Sequence, residues 1–247
     1  MEPKDRIIVA LDVNDPAKAI SLVRSLTPYV GCFKIGLEFI NSMIANITTL
    51  PTIEAYANFK QIRELFSLLD GNIFWDGKFD DTPNTVAGAT KETAKMRVKM
   101  FNVHASAGIK SMEAAVANKG NSLVLAVTVL TTIGDDESEL IFGAKSIKKV
   151  IEFATDAEKA GCDGIVCSPL ELKRISSLLP NLIKVVPGVR PKWAQANDQK
   201  RIMTPYDAIR AGADYLVVGR GITNPPAEIG SPVDAAKKIA EEIASAL

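Results

Sequence analysis

The sequence predicts an α/β fold, a (β/α)8 TIM barrel, and three observations lead there. Eight short Val/Ile-rich runs recur along 247 residues, helical stretches separate them, and the runs are continuously apolar. Continuous apolar strands alternating with helices indicate a parallel sheet covered on both faces. Length alone leaves one large or two small domains open, although barrels of this kind occupy such a length as one domain. A doubly wound sheet would usually need fewer strands and a Gly-rich first turn, and no G-x-G-x-x-G follows the first strand. No linker, low-complexity tract or shorter repeat breaks the alternation, so residues 1–247 are expected to form a single domain.

In order, Arg6 to Asp12 is a short β-branched run ending in an acid, and Asp15-Pro16 reads as N-cap and first residue of a helix to about Leu26. Cys32 to Leu37 is the second strand, and Pro51 to Leu69 has the apolar spacing of an amphipathic helix. Strands three to eight are Ile73 to Phe79, Met100 to Ala105, Ser122 to Leu130, Gly164 to Ser168, Ile183 to Val189 and Tyr215 to Gly221. The intervening helices are Asn84 to Lys95, Gly108 to Ala117, Lys145 to Ala160, Pro169 to Leu178, Thr204 to Arg210 and Pro232 to Ala246. Thr204-Pro205 and Gly212 mark the start and stop of the seventh.

Lys plus Arg equals Asp plus Glu at 29 each, so no overall positive field gathers nucleic acid or an anionic membrane. Phosphate recognition must therefore be local. The N-terminus lacks the apolar core of a signal peptide and no apolar run reaches membrane-spanning length, which reads as a cytoplasmic protein. Cys32, Cys162 and Cys167 show no metal-binding spacing and read as reduced packing residues. His104 is the only histidine, which excludes a multi-histidine metal site.

Active sites of such barrels lie at the C-terminal ends of the strands, and the unusual residues fall there. Asp12 ends strand one, Lys34 lies in strand two, Asp76 and Lys78 in strand three, His104 near the end of strand four and Thr131 just past strand five. A charged cluster at a strand end is ordinarily a solvated turn. Here regular alternation would point Asp76 and Lys78 the same way, with Cα atoms roughly 6.6 Å apart. Charges inside a barrel mouth are costly unless paired, so Lys34, Asp76, Lys78 and an acid from Asp80-Asp81 are expected to alternate in sign. A lysine flanked by carboxylates stays protonated and can serve as a general acid. A carboxylate placed where a substrate carboxylate must lie repels it, by about 4 kcal/mol at roughly 4 Å and an effective dielectric of about 20. Expelling carbon dioxide relieves that repulsion. Loops after strands seven and eight commonly hold a phosphate, and Arg190, Gln199, Gly219 and Arg220 would supply the cradle.

These residues resemble the orotidine 5′-monophosphate decarboxylase family. Its third-strand motif, D-x-K-x-x-D followed by I-P-x-T, is matched at every charged position by Asp76-Gly77-Lys78-Phe79-Asp80-Asp81-Thr82-Pro83-Asn84-Thr85. Lys34-Ile35-Gly36, Asn102-Val103-His104-Ala105, Pro187-Gly188-Val189-Arg190-Pro191, Asp198 to Pro205 and Val218-Gly219-Arg220 extend the resemblance over nearly the whole chain.

The resemblance implies that Lys78 protonates C6 of the pyrimidine, that Asp76 crowds the substrate carboxylate, and that Lys34 binds ribose within the charge network. It implies a homodimer in which Asp81 and Thr85 reach the neighbour's substrate. Asp12 would hold a ribose hydroxyl and Thr131 would face the pyrimidine. Gln199, Gly219 and Arg220 would grip the phosphate, with Pro187 and Arg190 in that pocket. Neither metal nor organic cofactor is implied, and phosphate binding energy would close the loop from Val189 to Met203 over the site.

Thr82, Gly77 and Asp80 depart from the family pattern, which favours Ile, a bulkier apolar residue and a neutral or basic residue there. The connection from Lys34 to Asp76 is also longer than the resemblance implies, with the additional residues around Ser42 to Tyr56. Two alternatives stand beside this reading. The magnesium-dependent 3-keto-L-gulonate 6-phosphate decarboxylases and hexulose 6-phosphate synthases share D-x-K-x-x-D, but place an acid where Lys34 would repel Mg2+. A non-catalytic nucleotide-binding barrel would keep the fold and the phosphate grip while losing the chemistry. His104 is expected to hydrogen-bond within the end of strand four.

Overall fold

The computed structural model describes residues 1–194 and 203–247. Its first half contains β1 (Ile7–Ala10), α1 (Pro16–Leu26), β2 (Cys32–Gly36), α2 (Leu37–Thr48), α3 (Thr52–Leu69), β3 (Ile73–Phe79), α4 (Pro83–Lys95), β4 (Met100–His104) and α5 (Ile109–Asn118). The second half contains β5 (Leu123–Val127), α6 (Asp135–Phe142), α7 (Ser146–Lys159), β6 (Gly164–Val166), α8 (Leu172–Leu178), β7 (Ile183–Val186), α9 (Pro205–Arg210), β8 (Tyr215–Val218), α10 (Arg220–Thr223) and α11 (Pro232–Ala244). The eight strands pair in sequence order, all parallel, and β8 closes on β1. This is the expected (β/α)8 barrel.

Alternation along the strands separates two apolar layers. Ile7, Val9, Phe33, Ile35, Phe101, Val103, Leu216 and Val218 belong to the large cluster shared with the helices. Ile8, Ala10, Cys32, Phe74, Met100, Leu125, Val185, Tyr215 and Val217 form the smaller cluster inside the barrel. The next inward position above Cys32 is Lys34, above Phe74 is Asp76, and above Met100 is Asn102. The polar mouth is therefore the top layer of the same pattern that fills the barrel.

Local signals act as expected at several ends. Asp15 caps α1 by accepting the Ala17 amide at 2.9 Å. Thr204 caps α9 through the Asp207 amide at 3.1 Å, and Gly212 just beyond that helix has φ +106. Three helices were not anticipated: α2, α6 and α10. The long connection between β2 and β3 holds two helices rather than one. At the opposite pole, Asp163 accepts from Lys119 at 2.6 Å and from the Val124 amide at 2.7 Å. Asp214 accepts the Lys184 amide there at 2.8 Å. Both ties pin adjacent strands at the end where barrels carry stability rather than chemistry.

Gly164 shows how tightly the sheet closes. A Cβ there would lie 2.3 Å from the Ile183 carbonyl oxygen on the neighbouring strand, a backbone atom that cannot turn aside. Gly164→Ala is expected to lower unfolding free energy by at least about 1–3 kcal/mol, the usual range for overpacking, measured by urea denaturation. A variant as stable as the parent would mean that β6 and β7 separate without cost.

Candidate active site

The site grows from the top inward layer of β2, β3 and β4. Lys34 follows Cys32 on β2, and its ammonium occupies the space a side chain at Gly36 would fill: a Cβ at position 36 would lie 2.6 Å from Lys34 Nζ. That fold-back brings Lys34 Nζ to 3.1 Å from Asp12 Oδ1 and 3.2 Å from Asp76 Oδ2. The other oxygen of Asp76 lies 2.7 Å from Lys78 Nζ. One carboxylate thus bridges two ammonium groups, and its side chain is only 9% exposed.

Regular alternation does not bring Lys78 to this position. β3 pairs with β4 through Trp75 and Phe101, then through Phe79 and Val103, so Asp76, Gly77 and Lys78 stand opposite Asn102 alone. Lys78 has φ +48, left-handed backbone that a residue with a Cβ enters only when its surroundings enforce it. The sequence reading of an unbroken strand is corrected by this bulge, although it rightly joined the two charges. Asn102, buried on β4, accepts the Lys78 amide at 2.8 Å and donates its own amide to Asp76 Oδ1 at 2.6 Å. The bulge also accounts for Gly77, since a Cβ there would meet Trp75 Nε1 at 2.9 Å and the Phe79 ring at 3.0 Å.

The electrostatics follow from burial opposed by pairing. Burial works against the charge of Lys34, but the Asp76 and Asp12 carboxylates outweigh it and leave its pKa above the ordinary lysine value. Burial likewise works against the Asp76 carboxylate. Lys34, Lys78 and the hydrogen bonds from Lys78 and Asn102 outweigh it, and its pKa is lowered. Burial lowers the pKa of His104, with Asp80 opposing and Lys78 assisting. The imidazole makes no hydrogen bond among the described residues, contrary to the expectation at the end of β4.

Asp12, Lys34, Pro187, Arg190, Gly219 and Arg220 together line one cavity of about 780 Å3 at the C-terminal ends of β1, β2, β7 and β8. That volume suits a nucleotide. Trp193, which the sequence reading did not single out, donates to the Gly221 carbonyl at 3.4 Å and ties the loop carrying Arg190 to the one carrying Arg220. Thr131 lies elsewhere, in an adjoining cavity of about 510 Å3 that shares Pro187 and Gly188 with the first. Glu171 also lines it, and burial pushes that carboxyl up to about 7. Gln199 falls outside the described residues, as does most of the loop between Val189 and Met203.

Asp81 and Thr85 are not part of the network within one chain. Both are exposed; Asp81 Oδ1 accepts the Thr82 amide at 2.6 Å, and the Thr85 and Thr82 hydroxyls stand 3.2 Å apart. Asp80 lies beside His104 and accepts from Ser106 at 3.4 Å.

Residues 5–239 match the model of the orotidine 5′-phosphate decarboxylase / HUMPS family. The chain belongs to this family. It is 39% identical over 98% of its length to the orotidine 5′-phosphate decarboxylase of Syntrophomonas wolfei, covering 99% of that protein. It is 40% identical to the Moorella thermoacetica enzyme of the same name, over 98% of this chain and 94% of that one. The crystal structure of orotidine 5′-phosphate decarboxylase from Lactobacillus acidophilus superposes with a TM-score of 0.76 at 28% identity, covering 96% of this chain and 98% of the other. Here Lys34 fills the space between Asp12 and Asp76 that a divalent metal would need, and among the described residues no group of three His, Cys, Asp or Glu could hold one.

Because the folded pKa of Asp76 is lowered, its stabilisation is present above the ordinary carboxylate value of about 4 and is lost as pH falls below it. Asp76→Asn is expected to cost stability at pH 7 near the low end of the roughly 3–5 kcal/mol range for breaking a buried pair, since Lys78 is partly exposed. The difference from the parent should shrink as pH drops below about 4. Equal pH dependence of the two melting temperatures would refute the bridging role.

Proposed function

We propose that this chain decarboxylates orotidine 5′-monophosphate to UMP, with Lys78 as the proton donor and no metal or organic cofactor. The observation that carries the mechanism is a carboxylate held between two ammonium groups, one of which, Lys34, lines a nucleotide-sized cavity together with Asp12. Arg220, Gly219, Arg190 and Gln199 hold the phosphate, Asp12 and Lys34 hold ribose, and Thr131 with Pro187 bounds the pyrimidine. This places the substrate carboxylate against Asp76. The bond from C6 to that carboxylate breaks, carbon dioxide departs, and the electron pair stays on C6. The Lys78 ammonium stabilises the developing carbanion and transfers its proton to C6, and the resulting amine recovers a proton from solvent. Repulsion between Asp76 and the substrate carboxylate disappears with the leaving group, so the interaction favours the transition state over the bound substrate.

The active unit in this reading is a homodimer of single-domain barrels. Asp81 and Thr85 project from the mouth and make no contact with Lys78 in their own chain, a placement suited to reaching the substrate of a second copy. A phosphorylated nucleotide substrate and the lack, among the described residues, of any helix long and apolar enough to cross a membrane fit a cytoplasmic enzyme.

Purified protein in EDTA-treated buffer is expected to convert orotidine 5′-monophosphate to UMP, followed by the fall in ultraviolet absorbance, and Lys78→Ala should lose essentially all turnover. Activity that required added Mg2+ would transfer the chain to the metal-dependent branch. Mixing inactive Asp81→Asn and Lys78→Ala proteins should restore part of the activity as subunits exchange. Verified exchange without recovery would leave the active site within one chain.

A further inference from the structure

We propose that Asn102 is the positioning residue of the charge network, setting the proton donor and the carboxylate with one side chain. This rests on the decarboxylase reading above. Asn102 is 1% exposed, on the inward face of β4, directly above Met100 of the apolar barrel core. Its carbonyl oxygen accepts the Lys78 amide at 2.8 Å, and its amide nitrogen donates to Asp76 Oδ1 at 2.6 Å. The backbone of β4 cannot pair with Asp76, Gly77 and Lys78, because the register is broken there. The Asn102 side chain supplies the missing partner.

Two consequences follow from that geometry. Satisfying the Lys78 amide holds the left-handed backbone that aims the ammonium back toward Asp76, 2.7 Å away. Donating to Oδ1 fixes the plane of the Asp76 carboxylate, so that Oδ1 faces Lys78 while Oδ2 faces Lys34 at 3.2 Å. Asn102 touches no reacting atom in the proposed mechanism; it acts through both residues that do. An amide accepts from a backbone N–H through its oxygen and donates to a carboxylate through its nitrogen, spanning the two partners from separate atoms without adding charge.

Asn102→Asp and Asn102→Ala separate the two bonds. The aspartate keeps an acceptor for the Lys78 amide but donates to Asp76 only when protonated, and two carboxyl groups in hydrogen-bond contact share a proton with a raised pKa. The alanine keeps neither bond. The titratable groups around position 102 are Asp76 and Lys78 on β3, Lys34 on β2 and His104 on β4 itself, all common to the three proteins. Their contribution therefore appears in the parent profile.

The test measures kcat and KM for orotidine 5′-monophosphate between pH 5 and 9, together with the Kd of UMP, which lacks the carboxylate that leaves. Asn102→Ala is expected to lose about 10²-fold in kcat, the scale of a misplacement of about 1 Å, with KM and UMP affinity within a few-fold of the parent. Asn102→Asp is expected to be impaired at high pH and to recover toward the parent as pH falls. An aspartate variant whose kcat–pH profile parallels the parent overturns the inference, even if the alanine variant does not fold. Loss of UMP affinity as large as the loss of kcat would overturn it too, by making Asn102 a support for the whole pocket. An inactive parent would remove the decarboxylase reading and this inference together, whereas an active parent matched by both variants removes this inference alone.

Discussion

Burying the carboxylate of Asp76 is the constraint around which the barrel mouth is arranged. An isolated ionised carboxylate in a low-dielectric interior would give up its charge, so its surroundings must repay its desolvation. Lys34 and Lys78 do this from opposite sides, and Asn102 adds a hydrogen bond. Each partner brings its own requirement. Lys34 needs the empty space at Gly36 and the second carboxylate of Asp12; Lys78 needs a break in the β3 ladder. The network is therefore organised within the chain itself, and Lys78 and Asp76 are fixed relative to one another by a hydrogen bond of 2.7 Å.

The topology divides the labour across the mouth. Strands β2, β3 and β4 supply the charged chain, whereas the loops after β7 and β8 supply the arginine and glycine side of the cavity. Closure of the barrel makes these two groups face one another, since β8 pairs with β1 and β1 with β2. Asp12 and Lys34 sit where the two halves meet. The cationic loop side of the cavity and the charged chain of β2 to β4 are thus two separate sets of groups. The opposite pole, with its Asp163 and Asp214 ties, takes no part in this and can serve stability alone.

The strands were legible because each is a continuous apolar run, and their count and order led to the barrel. The charged residues were legible because acids and lysines at strand ends have no role in a core. Other features were harder to read. In α2, Leu37, Ile40, Met43, Ile44 and Ile47 follow helical spacing, but the helix starts directly after β2 at Gly36 with no side-chain cap to mark it, and Leu37 reads equally well as the end of the strand. In α6 Ser138 is the one buried residue and Phe142 the one apolar side chain packed on the core, edge-on to Phe153, so no repeating apolar face sets a period to read. The bulge was hidden because strand alternation assumes an unbroken ladder. Asn102 carried one weak signal, a lone amide inside Met100-Phe101-Asn102-Val103, which propensity alone would treat as a polar lapse in a strand.

Position 77 has a consequence for how this sequence can vary. The volume a side chain would occupy there already holds the Trp75 indole and the edge of the Phe79 ring. Positions 75, 77 and 79 are one packing unit, and substitutions within it are epistatic rather than additive. A larger residue at 77 therefore requires the Trp75 indole or the Phe79 ring to shift or shrink, whereas the charged residues between them point elsewhere and are outside that coupling.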